Sequence, residues 1–124
     1  MHPPVESSEL GPLEIVDVYL DYDGPRLFSC MDGRGQLFVA VWVDEREASA
    51  VWLYAPISRQ RLNELEADIV DLRSIFSESE SGKVLRVTTF HDERTPLVEP
   101  GDCSEIPEEW LPLPGASLSE PHVQ

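Results

Sequence analysis

The string with most chemical potential is VDVYLDYDG, from Val16 to Gly24. An apolar strand that runs into Asp-x-Asp can aim the first carboxylate, Asp21, at a phosphorus atom, while Asp23 helps it hold Mg²⁺. That chemistry requires a parallel, doubly wound sheet and a later acidic metal-binding pair. Here the strand-like runs follow one another through short turns, which parallel strands cannot use. Asp21 and Asp23 therefore read as turn residues whose side chains bond their own backbone. Taken as a calcium loop starting at Asp21, the segment puts Pro25 where an oxygen ligand belongs and Arg26 where glycine is required.

Other candidate groups are scattered. His2, His91 and His122 lack the spacing of metal ligands, and with two distant cysteines they form no zinc pattern. Cys30 falls in a strand-like run and Cys103 in a proline-rich stretch. Both read as free thiols of a reducing cytoplasm, with a single disulfide as the alternative. Asp32-Gly33-Arg34-Gly35 lies between two strands and is no phosphate loop, which would precede a helix. Asp44 and Glu45, with Glu47, read as a solvated acidic loop. Trp52 and Tyr54 alternate with Val51 and Leu53 and suit a core. If their face stayed open it would be a binding surface. No cofactor or metal is expected.

Twenty-four acids against nine bases give a net charge of −15, unevenly placed. Residues 1–25 and 98–124 each carry six acids and no Lys or Arg, whereas the middle is close to balance. Such a surface repels nucleic acid, whose phosphates require clustered Lys or Arg, and an anionic membrane. It favours solubility or a basic partner protein.

The elements that would carry these residues are legible from periodicity. Ile15–Leu20, Arg26–Met31, Leu37–Val43, Ala50–Ala55 and Lys83–Phe90 read as five strands. LFVAVWV is apolar on both faces and suits a central strand. In the first strand, Val16, Val18 and Leu20 should face one way, and Ile15, Asp17 and Tyr19 the other. Ser58 can cap a helix with Leu62, Leu65 and Ile69 on one stripe, and Asp71 a second with Leu72, Ile75 and Phe76. The expected fold is α+β: an antiparallel sheet of about five strands, one or two helices packed on one face, and an extended proline-rich tail. The division runs 1–12 as a flexible arm, 13–92 as one domain, and 93–124 as an acidic proline-rich tail partly docked through Trp110. Pro96, Pro100, Pro107, Pro112, Pro114 and Pro121 bar long helices and central strands from that tail. No apolar run is long enough to span a membrane and no secretory signal is visible, so a cytoplasmic protein is expected.

Tyr22–Phe28 (YDGPRLF), Leu37–Glu45 (LFVAVWVDE) and Trp52-Leu53-Tyr54 resemble a family of small bacterial proteins known only as a domain of unknown function. The resemblance implies a bacterial, cytosolic setting and transfers no functional residue. Eight Arg against one Lys accord with a GC-rich genome. The expected function is non-enzymatic: a small acidic module, such as an antitoxin, immunity or accessory subunit, that binds a basic protein. Asp21, Asp23, Arg26, Asp44, Glu45, Trp52, Tyr54 and Trp110 are the candidate interaction residues. Two alternatives stay open: a small-ligand binder or enzyme built on the Asp21–Arg26 turn and an aromatic face, and a homo-oligomeric structural protein.

Overall fold

The computed structural model describes residues 13–21, 25–92, 95–116 and 118. The expected arm at 1–12 lies outside them. Six strands form one sheet: β1 (Glu14–Asp21), β2 (Pro25–Met31), β3 (Leu37–Glu45), β4 (Ser49–Ile57), β5 (Lys83–Phe90) and β6 (Leu97–Asp102). Their spatial order is their sequence order, and every neighbour is antiparallel. Two helices, α1 (Arg59–Glu66) and α2 (Leu72–Ser77), interrupt the meander between β4 and β5. Two 3₁₀ turns follow β6, at Cys103–Glu105 and Glu108–Trp110.

The sixth strand is one more than the expected count of about five. Pro100 bars this segment only from a central position, and β6 is an edge. Pro100 pairs with Leu85 of β5.

Alternation along the strands builds two cores. On one face Leu27, Val39, Val41, Leu53, Ala55 and Val84 pack against Leu62 and Leu65 of α1 and Leu72, Ile75 and Phe76 of α2. On the other, Phe28, Phe38, Trp52 and Tyr54 cluster with Cys30 and Val87. Edge-to-face contacts link Phe28 to Trp52 and Tyr54, and Phe38 to Tyr54. β3 is buried on both sides over most of its length, as an apolar run should be.

Turns set the registers. Asp32 Oδ1 accepts from the backbone N–H of Arg34 (2.9 Å) and Gln36 (3.0 Å), and Gly35 takes φ 86°. Ser58 caps α1, accepting from Arg61 N at 3.1 Å. The helix is shorter than its apolar stripe suggested. It stops at Glu66, and Asp68 turns the chain at φ 61°, which leaves Ile69 70% exposed rather than in the core. β1 also departs from simple alternation. Register shifts at three places put Tyr19 and Leu20 against the helix-side core, Ile15 against the aromatic core, and Val16 and Val18 in solvent.

Candidate functional site

The segment after β6 is a strap that crosses the helix-covered face. Cys103 N donates to Gly82 O at 3.0 Å. Arg73 of α2 donates to Pro112 O at 3.1 Å and to the Glu108 carboxylate. Leu72 N donates to Ala116 O at 2.7 Å, and Gly115 N to Asp71 Oδ2 at 3.0 Å. Asp71 thus caps α2 through one oxygen and holds the strap through the other. The Gly115 N–H, ahead of the Ser74 groups, holds its carboxyl below the usual carboxylate range. Trp110 and Leu111 pack on the helix-side core, so Trp110 docks on its own chain.

Between strap and sheet lies a groove of about 260 Å³. Leu53 and Val84 supply apolar floor, and Ile106 and Trp110 an apolar wall. Glu99, Asp102 and Glu105 supply carboxylates, and Arg86 reaches in from β5. Arg86 Nε stands 3.4 Å from Glu99 Oε1, and its Cζ lies 5.7 Å from the centre of the Trp110 ring. Asp102 Oδ1 accepts from the N–H and hydroxyl of Ser104, which lowers its pKa, and Oδ2 stands 4.0 Å from Lys83 Nζ. Glu105 is exposed and has no ion pair among the described residues. Small-molecule pockets run to roughly 300–1,000 Å³, so this open groove suits one protruding side chain better than an engulfed ligand.

The expected interaction residues that the structure describes lie in different parts of the fold. Trp52 and Tyr54 are fully buried in the aromatic core and present no face to a partner. Arg26 sits over Trp42, its Cζ 3.9 Å from the ring centre, a cation–π contact within its own chain. Asp44 is paired with Arg46 at 3.3 Å, and Glu45 is exposed at the end of β3. Asp21 ends β1 opposite Pro25, and Asp23 lies outside the described residues. Of the set, among the described residues, Trp110 lines the groove. Sequence reasoning missed Arg86, Glu99 and Glu105. The one available signal was β5–β6 pairing, which sets Arg86 opposite Glu99, and β6 was not expected.

Both cysteines are free. Burial, with a smaller effect from Asp32, pushes the Cys30 thiol up to about 12, which removes it as a nucleophile at neutral pH. Among the described residues no three His, Cys, Asp or Glu side chains gather as metal ligands, and no helix is long and apolar enough to cross a membrane.

Comparison with known proteins gives one assignment. A family model described as a family of unknown function, DUF6575, matches residues 1–122, so the chain belongs to that family. No curated protein and no solved structure matches it.

Proposed function

We propose that the chain is a non-enzymatic interaction module that binds a basic protein, as an antitoxin, immunity or accessory subunit of a bacterial system does. One observation carries this reading. The acid-rich ends of the sequence contribute the two edge strands, while many of the cations are engaged internally. Arg46, Arg73, Lys83 and Arg86 pair with Asp44, Glu108, Asp102 and Glu99. Arg61 donates to the carbonyls of Ser74 and Glu78, and Arg26 stacks on Trp42. Glu14, Asp17, Glu45, Glu47, Glu105 and Glu109 stay exposed without an ion pair among the described residues. A field of this sign speeds encounter with a positive surface and opposes phosphate-rich ones. It also opposes edge-to-edge pairing of two copies, since like charges would then face each other.

Purification from the native host at low salt, followed by reconstitution from the identified components, tests this. The expected companion is a protein with a basic surface whose complex with the chain weakens as salt rises. Recovery of the chain alone at both low and high salt would overturn the reading.

A further inference from the structure

We propose that the groove between β6 and the strap receives an arginine or lysine side chain of the partner, seated between the Trp110 ring and the Glu99 and Glu105 carboxylates. This rests on the reading of the chain as a binder of basic proteins, and it names the place and the chemistry of contact.

Three features favour the groove over the rest of the acidic surface. It is concave, with an apolar floor at Leu53 and Val84 that can cover the methylene stem of a long basic side chain. Its rim joins an indole ring to carboxylates, the combination that holds a cation by ring quadrupole and Coulomb attraction together. It also already holds a guanidinium. Arg86 makes the Glu99 contact at 3.4 Å and lies 5.7 Å from the Trp110 ring centre. It reaches the ring only at the far end of the useful range, since cation–π attraction fades beyond about 6 Å. Glu105, on the strap side, is left without a cation among the described residues. An incoming basic side chain can therefore sit closer to Trp110 and Glu105 and share or displace the hold of Arg86 on Glu99. The β1 edge is also acidic, with Glu14 and Asp17 exposed, but its acids stand beside Val16 and Val18 on an open strand.

The test uses the full chain and hexa-arginine peptide at low salt, with hexacitrulline as the uncharged isostere. Affinity is measured calorimetrically for wild type, Glu105→Gln, Glu99→Gln/Glu105→Gln, Trp110→Leu, Arg86→Gln and Arg46→Gln. Each variant is first checked for an unchanged circular dichroism spectrum. Leucine at 110 keeps an apolar anchor for the strap and removes only the ring. The double carboxylate variant should weaken hexa-arginine binding about tenfold, and Trp110→Leu about threefold. Arg86→Gln should tighten it by more than Arg46→Gln, which removes the same charge from a distant hairpin. Hexacitrulline should not bind. Hexa-arginine binding that all these variants leave unchanged, or equal gains for Arg86→Gln and Arg46→Gln, would overturn the groove and leave the basic-partner reading standing. Tight binding of hexacitrulline would overturn the groove as a cation site. Absence of any hexa-arginine binding to wild type would overturn both.

Discussion

The two edges of the sheet carry negative charge in different ways. At β6 the acids are wired into the fold: Glu99 faces Arg86, Asp102 faces Lys83, and Glu108 of the strap meets Arg73. At β1 the residues of β2 in register are Met31, Cys30, Ser29, Phe28, Leu27 and Pro25, none of them charged. Glu14 and Asp17 stand in solvent there, beside Val16 and Val18 at 43% and 39% exposure. Evenly acidic ends of a sequence thus become one edge with internal counter-charges and a groove, and one edge with bare acids on a bulged strand. Bulges and inward or adjacent charges are how edge strands avoid indiscriminate pairing. The β1 edge fits that protective role, and the groove proposed to receive a basic side chain lies on the β6 side.

Substitutions test how the two edges differ. The largest effect is expected at the joint that holds the strap. Asp71→Ala removes both the α2 cap and the Gly115 tether, and should cost about 2 kcal/mol in chemical denaturation at neutral pH. Because the folded carboxyl titrates below its unfolded value of about 3.9, the stability it adds is present above that pH. It is lost as pH falls through the lower folded value. The gap between wild type and Asp71→Ala should therefore be constant from neutral pH down to about 5 and narrow below about 4.

Trp110→Ala should cost about 1–2 kcal/mol, since the ring is only partly buried on the helix-side core. A neutral outcome would mean that the strap is held by its polar tethers alone. Reversing charge separates the edges more finely. Glu99→Lys breaks the contact with Arg86 and sets two cations opposite each other, and should lower stability by about 0.5–1 kcal/mol. Asp17→Lys on β1 should change stability by less than about 0.5 kcal/mol, because no ion pair among the described residues is lost. Equal losses for the two reversals, in parallel urea melts, would erase the distinction between the edges.

Much of the sheet was legible in the sequence. LFVAVWV announced its central place, Asp32-Gly33-Arg34-Gly35 its hairpin, and Ser58 and Asp71 both helix caps. Those signals are local, so tertiary context did not alter them. What was not legible depended on pairing. Nothing within residues 97–102 marks them as a strand: Pro100 and Gly101 weaken the pattern, and β5 supplies the ladder. The bulges of β1 likewise arise from register with β2 and overrode the period of two. Ile69 matched a helical stripe, but Asp68 turns the chain before that turn forms. The groove was hidden for the same reason, since Arg86, Glu99 and Trp110 meet only once β6 and the strap are in place. Of the aromatic candidates, Trp52 and Tyr54 satisfied the core and Trp110 lines the groove.

The most direct measurement is a map of backbone amide shifts in ¹⁵N-labelled protein titrated with hexa-arginine at low salt. The result expected is a saturable set of shifts concentrated in Val98–Asp102 of β6 and Glu105–Trp110 of the strap, with one common affinity. Shifts centred instead on Glu14–Asp21, or spread evenly over the acidic surface, would contradict a built site beside β6.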